Sequence, residues 1–251
     1  MAIGKLESSL LEATDFFDRV VSRREKLIKD SREVIALSSR SIISIHSSHY
    51  AEAKKLQAEA KRRLAELRKI AGRDLVKYIL TPEQEFVESS IMYSLVTRRE
   101  IASLDQLGVL PSSYILGIVD AIGELKRNVY DLIRMGKVSV AEEMFSAMES
   151  LFALTAHFAV YDNIVPGLRR KLDVGRMLIE DVRAVITEET RRMEFMTSIN
   201  KLAERLGVAR DLAQIPASAK IQHSVEKHRS ANLNKENLAS YEEKDDENDP
   251  L

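Results

Sequence analysis

The chain has 251 residues, a formal net charge of −1, 45% hydrophobic side chains, 9 Gly, 5 Pro and no Cys. The missing cysteines exclude disulfide frameworks, thiolate metal sites and cysteine nucleophiles, and the balanced charge gives the molecule as a whole no attraction for polyanions. Few helix breakers among abundant Leu, Ala, Glu, Lys and Arg predict an all-α protein built on one core.

Taken in chain order, Leu10, Phe17, Val20, Val21, Leu27 and Ile28 recur at helical spacing and predict a first helix from Glu7 to Lys29. A second, Ser31 to Tyr50, buries Val34, Ile35, Ile42 and Ile45, and a more charged third covers residues 51–74, ending near Gly72. Thr81-Pro82-Glu83-Gln84 reads as a capping box, with Thr81 at the N-cap, Pro82 at the first helical position and Gln84 reaching back. That helix is expected to reach Ala102. Gly108 and Pro111-Ser112-Ser113 mark a turn before a helix running to Met135, with Gly136 as its stop. Ser139, followed by Glu142 three residues on, opens a helix through Tyr161. Pro166 begins a long last helix with Leu168, Leu172, Ile179, Val182 and Ile186 on one face, fading near Gly207. The expected architecture is a single-domain bundle of about seven helices over residues 1–210, followed by a disordered polar and acidic tail over 211–251. No apolar run approaches the roughly 18–20 residues that span a bilayer. The opening MAIGKLESSL lacks a signal-peptide core, so a cytoplasmic protein is expected.

Three stretches, REVIALSSRSIISIH (Arg32 to His46), PEQEFVE (Pro82 to Glu88) and YILGIVDAIGELKR (Tyr114 to Arg127), together resemble the translin superfamily. The closer match is to its translin-associated factor X (TRAX) branch. KLDVGRMLIEDV (Lys171 to Val182) is similar to the family's last long helix, and the resemblance covers roughly residues 10–205. It implies a helical subunit of a hollow octameric shell in which four interior acids support magnesium-dependent cleavage of RNA. At the matching positions stand Glu85 and Glu88 in QEFVE, and Asp120 and Glu124 in LGIVDAIGEL. All four acids are present, whereas translin-type subunits lack the full set and chiefly bind nucleic acid. The implied activity is a Mg²⁺-dependent endoribonuclease, with Mn²⁺ as an alternative ion. Its partners would be single-stranded RNA, DNA as a further ligand, and either copies of itself in a homo-octamer or a translin-like subunit in a hetero-oligomer.

The residues themselves support the two acid pairs unequally. On a helical wheel at about 100° per residue with Phe86 at zero, Val87, Ile91, Met92, Leu95 and Val96 span roughly 100° to 280°. Glu88 and Glu85 fall inside that apolar arc, near 200° and 260°. Two carboxylates about 5 Å apart at an effective dielectric of about 20 repel by about 3 kcal/mol, so a buried pair needs a cation, a proton or polar partners. A divalent ion with oxygen ligands is one remedy; Arg98 or Arg99 is another. Asp120 and Glu124 lie instead with Arg127 and Asp131 on an ordinary polar face, opposite Ile118, Ile122, Leu125 and Val129. Only the family resemblance turns that face towards a cavity. Gly117 and Gly123 flank it, leaving room for a backbone or a phosphate, or serving helix packing.

For phosphate contacts the candidates are Arg32 and Arg40, inside the family-like motif, and Lys61, Arg62, Arg63 and Arg68 on the basic third helix, set against its Glu59, Glu66 and Asp74. With aromatics at 6%, backbone-driven and weakly sequence-specific binding is expected. His46 and His49 stand three apart but read as core or surface histidines. No E-x-x-H, G-x-x-x-x-G-K-[ST] or G-x-G-x-x-G occurs, which disfavours di-iron bundles, nucleotide-driven motors and dinucleotide enzymes. Two further readings stay open: a non-catalytic shell that binds single-stranded RNA or DNA, and an all-α nucleotide pyrophosphatase using an E-x-x-E helix and a second acidic helix.

Overall fold

The computed structural model describes residues 4–206, and the tail expected over 211–251 lies outside them. The described residues form seven α-helices and no strand: α1 (Gly4–His46), α2 (Tyr50–Ala71), α3 (Leu80–Val96), α4 (Leu104–Leu107), α5 (Pro111–Arg134), α6 (Val138–Ala156) and α7 (Leu168–Arg205). Two 3-10 turns, Val76–Tyr78 and His157–Tyr161, precede α3 and follow α6. Contacts divide the chain into a unit up to Thr190 and a second from Arg191 on; the bundle and the site belong to the first. No helix of the described residues is long and apolar enough to cross a membrane.

The two helices expected over Glu7–Lys29 and Ser31–Tyr50 are one. Neither Gly nor Pro interrupts the hydrogen-bond ladder around Asp30 and Ser31. Ser31, far from capping a new helix, is buried and donates to the Tyr78 carbonyl at 3.1 Å. Leu27, Ser31, Val34, Ser38, Ile42 and Ile45 form one unbroken buried stripe. The serines let α2 approach closely, and Ser41 donates to the Ala53 carbonyl at 3.3 Å. Ser48, with φ of 61°, turns the chain into α2, whose buried face is Ala53, Leu56, Ala60, Leu64, Leu67 and Ala71.

The capping box expected at Thr81 is not there. The 3-10 turn feeds α3 directly and Ile79 occupies the N-cap; its carbonyl accepts from Glu83 N at 3.1 Å, so Thr81 already lies in the first turn. α3 also ends at Val96 rather than Ala102, because Arg98 takes a positive φ of 52°. A true capping box sits one element later, where Ser103 and Gln106 bond each other's backbone at the start of α4. Pro111 is at the start of α5 as expected. Ser139 caps nothing, since α6 begins at Val138 with Lys137 at the N-cap, and α7 begins at Leu168 rather than Pro166.

α3 is the central element. Phe86, Val87, Ile91 and Met92 are each at most 3% exposed and join Leu27, Leu64, Leu67, Ile122, Leu125, Met148 and Val182 in one core. At about 1.5–3 kcal/mol per fully buried large apolar side chain, this packing fixes where α3 and α5 must lie. Glu83 is sealed in at 0% exposure. Its two oxygens accept from Arg68 Nε at 2.8 Å and from Leu110 N at 2.9 Å, tying α2, α3 and the start of α5 together.

Candidate active site

The acids stand on two helices that touch. A Cβ at Gly117 would lie 2.6 Å from the Gln84 carbonyl oxygen and 2.6 Å from Val87 Cβ, so α5 meets α3 at backbone contact. One turn beyond, Asp120 accepts a hydrogen bond from the Gln84 side-chain amide. Glu85 and Glu88 are three apart on α3, and Asp120 and Glu124 four apart on α5, spacings that put each pair on one face of its helix. All four are partly buried, with 22% of the Asp120 side chain and 27% of the Glu124 side chain exposed. The part of the polar face of α5 that carries Asp120 and Glu124 is therefore partly covered by protein, while Arg127 on the same face is exposed.

Two further residues complete the cluster. Lys171, in the first turn of α7, places Nζ 2.5 and 2.7 Å from the two oxygens of Asp120. His46, at the end of α1 with its side chain 6% exposed, has Nε2 2.7 Å from Glu124 Oε2. The carboxylate can only accept, so Nε2 carries the hydrogen. Its Nδ1 has no hydrogen-bond partner among the described residues, and Asp131 stands 3.9 Å away. Sequence reasoning left both residues out of the site, because Lys171 and His46 lie 51 and 78 residues from their partners. The one available signal was their place inside the family-like stretches. The proposed neutralisers Arg98 and Arg99 are elsewhere: Arg98 pairs with Glu143 at 2.6 Å, and Arg99 lies over the Tyr93 ring.

The environment acts in opposite directions on the two acids of α3 and on Glu124. Burial, reinforced by the charges of Glu85, Asp120 and Glu124, pushes Glu88 up to about 8, with Lys171 opposing. Glu85 is raised for the same reasons, burial first and Asp120 next. Glu124 moves down, chiefly through the hydrogen bond from His46. The cluster thus holds a protonated and an ionised carboxyl side by side near neutral pH. As the side chains stand, no three carboxylate or imidazole groups of the described residues converge tightly enough to hold a metal ion. Asp120 is committed to Lys171 and Gln84, and Glu124 to His46. The donor chemistry nevertheless fits a hard divalent cation, since these are oxygen ligands whose mutual repulsion a cation relieves.

Glu88 gives a direct test of this coupling. In the unfolded chain it ionises near 4.5, and in the folded protein near 8, so between these values the folded state binds more protons. Stability therefore falls as pH rises through that window, by at most about 1.4 kcal/mol per pH unit, and levels off above it. Glu88→Gln, uncharged at every pH, is expected to gain progressively on wild type in urea midpoint from about pH 5 to pH 8 in EDTA. A difference independent of pH would show that Glu88 is not held in its neutral form.

Of the basic candidates, Arg32 and Arg40 are exposed on α1 and carry no ion pair among the described residues. Lys61 donates to the Gln106 carbonyl at 2.8 Å. Arg62 pairs with Glu59 at 2.6 Å and Glu66 at 2.8 Å, Arg63 with Glu59 at 2.8 Å and with Glu33, and Arg68 with buried Glu83. Two guanidiniums on one carboxylate hold Glu59 down to about 2. None of the six contacts the acidic cluster.

A helical bundle whose central helix and its glycine-locked neighbour each contribute two carboxylates to one cluster defines an all-α protein with an acidic, cation-bridged site. The chain belongs to the translin family, which it matches over residues 22–186, a span that includes every residue of the cluster. It is 30% identical over 184 residues to an uncharacterized protein of Methanocaldococcus jannaschii, covering 72% of this chain and 82% of that one. Among solved structures it is similar to AfC3PO, with a TM-score of 0.68 and 26% identity over 73% of this chain and 98% of that one. The complex of AfC3PO with duplex RNA gives a TM-score of 0.67 at 26% identity, over 73% and 97%. Apo-NeC3PO shares the fold, with a TM-score of 0.64 at 22% identity, over 72% and 96%.

Proposed function

We propose that this protein binds RNA and cleaves single-stranded RNA as a divalent-cation-dependent endoribonuclease of the TRAX kind, working inside an oligomeric shell. The observation that carries the reading is the placement of Glu85 and Glu88 on α3 beside Asp120 and Glu124 on α5 across the backbone contact at Gly117, close enough that the charges of Asp120 and Glu124 act on both α3 acids. RNA as the ligand class draws on the similarity to AfC3PO, solved with duplex RNA. Exposed Leu6, Leu10, Phe17 and Val21 along the first half of α1 offer an apolar surface for assembly, as a homo-octamer or with a translin-like subunit.

Glu85, Glu88, Asp120 and Glu124 would hold Mg²⁺, or Mn²⁺ in its place. A divalent ion bound there supplies charge to neutralise the reacting phosphodiester and acidifies the attacking water. His46 fixes the Glu124 carboxylate through Nε2–H, so that this ligand is oriented before substrate arrives. A carboxylate of the cluster not engaged by the ion would accept the water's proton. Exposed Arg32 and Arg40 are the most available contacts for strand phosphates; Lys61, Arg62, Arg63 and Arg68 are tied to partners that a strand would have to displace.

The experiment is a cleavage assay on labelled single-stranded and duplex RNA, with Mg²⁺ or with EDTA, comparing wild type with the Glu85→Gln/Glu88→Gln variant. Wild type is expected to cut only with the metal, and the variant to cut at least about a hundredfold more slowly while still binding RNA. Wild-type binding that never leads to metal-dependent cleavage would leave the non-catalytic shell as the function. Lys171, already neutralising Asp120, is the observation that favours that alternative.

A further inference from the structure

Asp120 is already paired. Both its oxygens face the Lys171 ammonium, at 2.5 and 2.7 Å, and one also accepts from Gln84. A divalent ion on that carboxylate would stand within a few ångströms of the Lys171 ammonium, and the two like charges compete for the same acid. If Asp120 is to serve as a ligand, moving the ammonium away relieves that repulsion.

It has somewhere to go. A cavity of about 410 Å³ opens beside the pair, lined by Asp120, Gly123, Gly167, Arg170, Lys171 and Gly175 among others. There is open space around it: a Cβ at Gly167 would meet nothing within 4 Å, and one at Gly123 would come no closer than 4.0 Å to Leu178. Arg170 is exposed at the rim and carries no ion pair among the described residues. The cavity thus holds two cations and a single acid, which is itself already spoken for. A four-carbon stem lets the ammonium swing from one wall to the interior. Such a chamber suits an oxyanion, and a phosphodiester lying next to the acids is the one that the nuclease reading supplies.

We propose that Lys171 is an exchangeable internal counter-ion: it occupies the carboxylate cluster in the metal-free protein, and on metal entry its ammonium moves to a strand phosphate seated in the neighbouring cavity beside Arg170. The inference rests on the nuclease reading above. It makes Lys171 a competitor of the metal and a partner of the RNA at once, and a merely structural lysine is neither. Its loss therefore moves two affinities in opposite directions.

The test uses the full chain and two titrations. Mn²⁺ binding is measured by calorimetry without RNA, and binding of a single-stranded RNA oligonucleotide is measured by fluorescence anisotropy with Ca²⁺ as a non-cleaving ion. Lys171→Met is expected to bind Mn²⁺ about tenfold more tightly and the RNA about tenfold more weakly, the scale of one charge contact. Lys171→Gln, which keeps a donor for Asp120 but not the charge, serves as the second variant and is expected to follow it, while Lys171→Arg stays near wild type in Mn²⁺ affinity. Mn²⁺ binding in wild type that is unchanged or weakened in both uncharged variants would overturn the inference alone. Mn²⁺ binding absent from wild type and variants alike would overturn the carboxylate–metal reading and this inference with it.

Discussion

Gly117→Ala is expected to destabilise the protein by about 1–3 kcal/mol or more and to weaken Mn²⁺ binding, whereas Gly123→Ala, two turns along the same helix, is expected to do neither. At Gly117 the added methyl would lie 2.6 Å from a backbone carbonyl, that of Gln84, and 2.6 Å from Val87 Cβ. Neither atom is the free end of a side chain. Relief requires α3 and α5 to separate, and they carry the two halves of the acid cluster. At Gly123 the nearest atom is the end of Leu178, at 4.0 Å. There alanine meets only ordinary contact and recovers about 0.5–1 kcal/mol of helix propensity. Urea denaturation and Mn²⁺ calorimetry on both variants decide the matter. Equal stability of the two would mean that the backbone contact at Gly117 does not set the spacing of the helices.

The second large effect concerns Arg68 and Glu83. The carboxylate is fully buried and the guanidinium side chain 28% exposed, so the two partners are not equivalent. Arg68→Met strands a charge beside a single remaining donor, Leu110 N, and is expected to cost about 3–5 kcal/mol. Glu83→Gln removes the charge but keeps only one of the two acceptor oxygens, so either Arg68 Nε–H or Leu110 N–H loses its partner; because it strands no buried carboxylate, it is expected to cost less than Arg68→Met. Replacing both, as Arg68→Met/Glu83→Leu, is expected to restore a large part of what the single arginine variant loses, because well-packed apolar residues replace a buried pair at little penalty. A urea series on these three proteins measures it. An Arg68→Met variant within about 1 kcal/mol of wild type would show that the pair does not staple α2 to α3. Stability is the quantity to measure first at Arg68, since any change in RNA affinity there is otherwise confounded with unfolding.

These two cases mark how far the sequence could be read. The all-helical class followed from composition, and most helices from the 3–4 residue recurrence of apolar side chains, because that spacing is imposed by the geometry of one helix and needs no partner. Ends were read less well. Thr81 and Ser139 have the right side chains for caps, yet the backbone entering each helix arrives in another conformation, and only Ser103 with Gln106 completes a box. A second helix was expected to open at Ser31, whereas Ser31 lies mid-helix, buried, with its hydroxyl donated to the Tyr78 carbonyl.

In the candidate site, the partial burial of Glu85 and Glu88 was legible, since their own helix shows them inside an apolar arc. That of Asp120 and Glu124 was not, because their face of α5 is polar throughout and only the neighbouring elements cover it in part. Family-like motifs supplied the four positions, and the sequence by itself determined which groups could carry charge. What neutralises them was decided in three dimensions. Lys171 and His46 come from helices distant in the chain, and no local pattern encodes a contact that forms only when α1 and α7 reach Glu124 and Asp120. Helical periodicity is a property of neighbours in sequence and survives without the fold. The pairing of charges depends on distance through space and on exclusion of water, and both exist only once the bundle has closed.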